Sequence, residues 1–94
     1  MYICIAGKNN CAIDAIKFLL KKKININRIL TLPNYNDKGI DGWQPSLKKF
    51  VLKNKIKIIK LKDLYVIKEL IFFSLEYEKI INIHKFQSKK LYNL

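Results

Sequence analysis

YICIAGKNNCAIDAIKFLL, residues 2–20, decides the fold. Tyr2 to Ala6 is a short apolar run closed by Gly7. Such a run reads as a buried strand ending in a turn. Asn9 and Asn10 come next, and either can cap a helix. Cys11, Ala12, Ala15, Ile16, Leu19 and Leu20 then recur at helical spacing, with Asp14, Lys17 and Lys21 on the other side. Lys21, Lys22 and Lys23 stand where cations suit a helix C-terminus. The first unit is therefore strand, glycine turn, helix.

The pattern repeats down the chain. Arg28 to Leu32 is the next strand candidate, ended by Pro33. Residues 34–45, NYNDKGIDGWQP, form a long loop of the kind that is functional or mobile in small domains. Pro45-Ser46 fits a helix start, and Leu47, Phe50 and Val51 make one apolar stripe while Lys48 and Lys49 face away. Lys55 to Leu61 reads as a third strand, Asp63 as a cap for a helix whose inner face carries Leu64 and Ile67, and Ile71 to Leu75 as a fourth, doubly buried strand. Glu76 to Lys90 is polar and mixed, a turn with a short helix, and Leu91 to Leu94 opens a fifth strand. Strands alternating with helices predict an α/β fold: an incomplete doubly wound (Rossmann-like) parallel sheet of four to five strands with flanking helices, in one domain spanning 1–94.

Composition narrows the function classes. The chain has 94 residues and a net charge of +12, but Arg28 is the single arginine among 19 basic residues. Arginine is the usual base reader and bidentate phosphate clamp, so the charge is weak support for nucleic-acid binding. Abundant Lys, Ile and Asn together are what an AT-rich genome encodes. Two cysteines, Cys4 and Cys11, make neither a disulfide framework nor a zinc site, and both are expected to be buried small hydrophobes in a reducing compartment. No metal site, membrane span or signal peptide is expected, and the cytoplasm is the expected location.

In open parallel sheets ligands sit beyond the carboxyl ends of the strands. Gly7, Lys8, Asn9 and Asn10 lie at such an end and lead into a helix N-terminus, which favours a phosphate. The second glycine and the Lys-Ser/Thr ending of a P-loop are absent, and so is the dinucleotide fingerprint. Asp41, Trp43 and Gln44 occupy the long loop. Trp43 can stack on a base or sugar ring, although on local grounds it is expected to pin the loop to the domain. Glu76 and Glu78 show no partner in the sequence and read as solvated. His84, the lone histidine, reads as an exposed structural residue.

The segments YICIAGKNNCAIDAIKFLL, PNYNDKGIDGWQPS, LKDLY and FFSLEYEKII together resemble bacterial nucleotide-sugar N-formyltransferases, and more distantly methionyl-tRNA formyltransferase. The resemblance implies transfer of a formyl group from 10-formyltetrahydrofolate to the amine of a dTDP-linked amino sugar in surface-glycan synthesis. It further implies an Asn-x-His followed by Ser-Leu-Leu-Pro, with an aspartate further along. Asn82-Ile83-His84 has the right letters but the wrong sequel, Lys-Phe-Gln-Ser, and comes too soon after the fourth strand. The resemblance instead aligns the catalytic asparagine with Asn93, and the histidine then falls beyond Leu94. The expectation is an N-terminal, incomplete part of the catalytic domain, inactive alone, with Asn93 catalytic and Gly7, Lys8, Asn9, Asn10, Asp41, Trp43 and Gln44 binding the nucleotide sugar. The alternative is a lysine-rich, non-enzymatic α/β module that binds nucleic acid or a protein partner. An incomplete sheet also exposes a parallel edge, which invites homo-oligomers.

Overall fold

The chain alternates strand and helix along its length. The computed structural model describes residues 1–78 and 81–93. The elements are β1 (Tyr2–Gly7), α1 (Asn9–Lys21), β2 (Ile29–Pro33), α2 (Leu47–Lys53), β3 (Lys57–Ile58), α3 (Leu61–Leu64), β4 (Leu70–Leu75) and β5 (Lys90–Asn93), with single 3-10 turns at Ile26–Arg28 and Ile83–Lys85. The five strands form one sheet in the order β3-β2-β1-β4-β5. Every pairing is parallel, with Cys4 beside Leu30 and Phe72, and Ser74 beside Asn93. This is the doubly wound order, and it reverses direction between β1 and β4.

β1 is apolar throughout because it is the middle strand and both of its faces are covered. Cys4 and Ala6 join one core cluster with Leu30, Leu70, Phe72, Leu64 and Phe86. Ile5 joins the other, with Ile13 and Ile16 of α1, Leu47 and Val51 of α2, and Ile29. Each fully buried Leu or Ile in such a layer contributes about 1.5–3 kcal/mol. Burial also pushes the Cys4 thiol pKa up, which keeps it protonated and inert.

Both longer helices end in the same way. Lys23 N–H donates to Leu20 O and Ile24 N–H to Leu19 O, and Lys23 has φ 63°. Lys55 N–H donates to Leu52 O and Ile56 N–H to Val51 O, and Lys55 has φ 58°. These are Schellman caps with a lysine in the left-handed position where glycine is usual.

Several boundaries differ from the sequence reading. α1 begins at Asn9, with Lys8 as its N-cap residue and no side-chain cap, so neither asparagine caps it. Cys11 is exposed, and Ile13 takes the inner position instead. Arg28 belongs to the 3-10 turn before β2. β3 has two residues rather than seven, and α3 starts after Lys60 with Asp63 in its first turn rather than at its cap. α2 starts at Leu47, just after the expected Pro45-Ser46, and Ser46 is its N-cap, accepting from Lys49 N–H at 3.0 Å. Lys79 and Ile80 of the region following β4, and Leu94 of the expected fifth strand, lie outside the described residues. Among the described residues no helix is long and apolar enough to cross a membrane, and no group of three or more His, Cys, Asp or Glu is placed to hold a metal ion.

Candidate functional site

The carboxyl ends of β1, β2 and β4 meet at the reversal of strand order, and the polar chemistry collects there. Gly7 is fixed by packing: a Cβ on it would collide with the carbonyl oxygen of Leu75 in β4. Lys8 follows, and its ammonium bonds the Glu78 carboxylate beyond β4. Asn34, just past β2, is 2% exposed. Its N–H donates to Gly7 O at 2.9 Å, and its side-chain oxygen accepts from Glu78 N–H at 3.0 Å. Asn34 therefore ties three strand exits together. The hydrogen bond from Lys8, then that from Asn34, hold the Glu78 carboxyl below the usual range, and the same Glu78 contact pushes Lys8 up. The sequence reading left Glu78 without a partner, and the fold supplies one from 70 residues away. Asn34 was read only as a loop residue. Its position directly after Pro33, where β2 must turn out of the sheet, is the signal that could have found it.

The long loop is stapled to α2 by two aspartates. Asp37 accepts from Ser46 Oγ at 2.5 Å, Gly39 N–H at 2.9 Å and Lys48 N–H at 3.0 Å. Partial burial pushes the Asp37 carboxyl up, but these hydrogen bonds outweigh it and the net shift is downward. Asp41 accepts from Ser46 N–H at 2.8 Å and Lys49 Nζ at 2.9 Å, and those bonds hold it below the usual range. The amides of Lys48 and Lys49 in α2's first turn are thus taken by Asp37 and Ser46. The first turn of α1 has no such side-chain partner. Asn9 enters it with φ 60°, a left-handed residue before helical ones, which turns successive N–H groups toward a common point.

A cleft of about 470 Å³ opens between these elements, lined by Lys8, Asn9, Asp37, Asp41, Trp43 and Gln44 among others. Five of the eight residues singled out in the sequence thus share one cleft. Gly7 lies behind it, and Asn10 lines a neighbouring groove between α1 and α2. Trp43 is 93% exposed, so it pins nothing, and the sequence expectation that it anchors the loop is overturned. Its ring is free to meet a ligand.

Asn93 is placed elsewhere. It ends β5 and lines a second cleft of about 290 Å³ with Phe72, Tyr77, Ile83 and Tyr92. Lys8 lines the first cleft, Tyr77 the second, and Glu78 bridges the ground between them. Asn82 is accounted for locally: its side chain caps the 3-10 turn by accepting from His84 N–H at 3.0 Å.

Sheet order, crossovers and the clustering of polar groups at the strand exits define a doubly wound α/β protein with its site at the switch point. No family model matches the sequence. No curated protein matches it either. Solved structures do match, two of them as follows. One is an N-formyltransferase from Helicobacter canadensis in complex with folinic acid and dTDP-3-aminofucose: TM-score 0.94, 44% identity, covering 99% of this chain and 35% of that one. The other is WlaRD, a sugar 3-N-formyltransferase solved with dTDP and 5-N-formyl-THF: TM-score 0.93, 52% identity, covering 99% of this chain and 34% of that one. The chain is thus similar to sugar N-formyltransferases over nearly its whole extent and spans about a third of the length of those two relatives.

Proposed function

We propose that these 94 residues form the nucleotide-binding part of an enzyme that transfers a formyl group from 10-formyltetrahydrofolate to the amine of a dTDP-linked amino sugar. The observation that carries the reading is the larger cleft. It joins an uncapped helix N-terminus and Lys8 to an exposed indole, which are the parts a pyrophosphate and an adjoining ring require. Asp41 serves this site through the loop, because its carboxylate is committed to Ser46 and Lys49. Gln44 presents an amide at the rim.

The second cleft fits a flat heteroaromatic group. Its walls include the broad side chains of Phe72, Tyr77 and Ile83, with Tyr92 and Asn93 of β5 at its edge. When bound there, 10-formyltetrahydrofolate supplies the formyl carbon. On this reading the Asn93 amide donates to an oxygen that gains negative charge as an amine attacks. No histidine lines this cleft: His84, the one histidine in the sequence, sits in the 3-10 turn and is exposed. A general base for the amine proton is therefore lacking among these residues, and the 94-residue chain is expected to bind without catalysing transfer.

The test is a titration of labelled protein with dTDP, followed by amide resonances. Shifts at residues 7–12 and at the Trp43 indole N–H are expected. A folded protein that shows neither would overturn the reading. Formylation of a dTDP-amino sugar by the isolated chain, abolished by Asn82→Ala, would overturn the assignment of Asn93.

A further inference from the structure

One strand separates the two clefts. β4 lies between β1 and β5 in the sheet, and Glu76, Tyr77 and Glu78 follow its end. Lys8, at the β1 exit, lines the first cleft, and Asn93, at the end of β5, lines the second. A group that passes from a donor in the second cleft to an acceptor in the first changes hands over the β4 exit. Glu78 stands there, and its carboxylate already holds a cation, the Lys8 ammonium. The carboxylate is anchored. Glu78 N–H donates to the side-chain oxygen of Asn34 at 3.0 Å, and Asn34 Nδ2 approaches the second carboxylate oxygen at 3.4 Å. Asn34 is itself buried. The cation is tethered only by a flexible four-carbon stem. The Lys8 and Glu78 side chains are 31% and 40% exposed, so a ligand can reach both.

We propose that Glu78 selects an aminated sugar: its carboxylate receives the ammonium of the nucleotide-linked sugar once the ligand's diphosphate has drawn Lys8 away. The inference rests on the proposed function and names the residue that reads the amine. The ligand brings the same two charges that the Lys8–Glu78 pair holds together. Its diphosphate is anionic, and its amine at neutral pH is cationic. Lys8 supplies the partner for the first and Glu78 the partner for the second. A diphosphate alone opens the pair and leaves the Glu78 carboxylate without a counter-ion, which is unfavourable. When the ligand also carries an ammonium, one ion pair is exchanged for two, and every charge keeps a partner. The Lys8 ammonium is thus an internal stand-in for the ligand's cation. Glu76 adds negative charge around Lys8 from the same strand exit, but Glu78 is the glutamate whose carboxylate makes the contact.

The experiment is calorimetric titration of the 94-residue chain with dTDP, with dTDP-3-aminofucose, and with dTDP-fucose, which has a hydroxyl where the amine stands. The aminated ligand is expected to bind about fivefold more tightly than the hydroxylated one. Glu78→Gln keeps the shape of the side chain and removes its charge. It is expected to bring the two ligands within about twofold of each other, without weakening dTDP. Lys8→Met is expected to weaken all three ligands and to keep the preference for the amine, because Glu78 remains. Glu76→Gln is also expected to keep it. Equal affinities in the unsubstituted chain, a preference that survives Glu78→Gln, or one that Lys8→Met or Glu76→Gln abolishes would each overturn the proposal. Should Glu78→Gln fail to fold, the unsubstituted chain, Lys8→Met and Glu76→Gln still decide it. Binding of dTDP with no preference for the amine refutes the role of Glu78 and leaves the proposed function standing. Failure of all three ligands to bind refutes the proposed function and this inference with it.

Discussion

Lys23 and Lys55 each occupy the left-handed position that ends a helix, at φ 63° and 58°. A side chain there brings Cβ against the following carbonyl, at a cost of about 1–2 kcal/mol that glycine avoids. Lys23→Gly and Lys55→Gly are each expected to raise stability by about 0.5–1 kcal/mol, read as a higher urea midpoint. Gly7 is the opposite case. Its Cβ would meet the backbone carbonyl of Leu75, which no rotamer change can move aside. Gly7→Ala is expected to cost about 1–3 kcal/mol by forcing β1 and β4 apart. An unchanged urea midpoint for Gly7→Ala would show that the sheet yields there. The sequence pointed to Gly7 as a residue that lets a ligand approach. The structure gives it a packing task, one set by a strand 63 or more residues later in the chain (Leu70–Leu75 against Gly7) and so invisible locally.

At the scale of elements, the loop between β2 and α2 separates a structural half from a functional half. Asp37 and Asp41 fasten it to the start of α2, while Trp43 projects into solvent. Asp37→Ala removes three hydrogen bonds, one of them to the first turn of α2, and is expected to cost about 1–2 kcal/mol. Trp43→Ala is expected to leave stability unchanged and to weaken dTDP binding about fivefold or more, from loss of stacking. Equal dTDP affinity for the two proteins would remove Trp43 from the site. The Asp37 carboxyl also sets a pH dependence. Its folded pKa is depressed, so its contribution is present above the unfolded-state value and is lost as pH falls through the folded one. Glu78, depressed by Lys8, acts in the same direction. The urea midpoint is therefore expected to fall as pH drops below about 5, and Asp37→Asn should make that fall shallower. Elements were legible where periodicity was long. α1 and the doubly buried β1 and β4 announce themselves by spacing and by continuous apolar runs. β3 and α3 do not, since two and four residues are too short to establish a period, and their extents are set by the edge of the sheet and the packing of Leu64.

For the whole molecule, the order of strands and helices in the sequence foretold a parallel sheet, and right-handed crossovers turned that order into β3-β2-β1-β4-β5. The candidate site was half legible. A glycine and lysine at the first strand exit suggested an anion, but the Lys8–Glu78–Asn34 link joins chain segments far apart in sequence. Charge is the property of the molecule as a whole that the sequence states outright, and it bears on stability. A net +12 is held within a radius of gyration of 12.4 Å. The screening length is about 30 Å at 0.01 M salt and about 8 Å at 0.15 M. At low salt every lysine therefore repels every other across the fold, and at physiological salt only neighbours do. Against this, the ion pairs found among the described residues are Lys8–Glu78 and Lys49–Asp41, both at the surface. Exposed pairs contribute little to stability, and salt weakens them. Self-repulsion among the remaining lysines is stronger than this attraction, so salt should stabilise this protein rather than loosen it. Raising NaCl from about 0.01 M to 0.15 M is expected to raise the unfolding free energy by on the order of 1 kcal/mol. A urea midpoint that falls with added salt would mean that the two ion pairs outweigh the lysine surface, and that the +12 is already compensated in the fold.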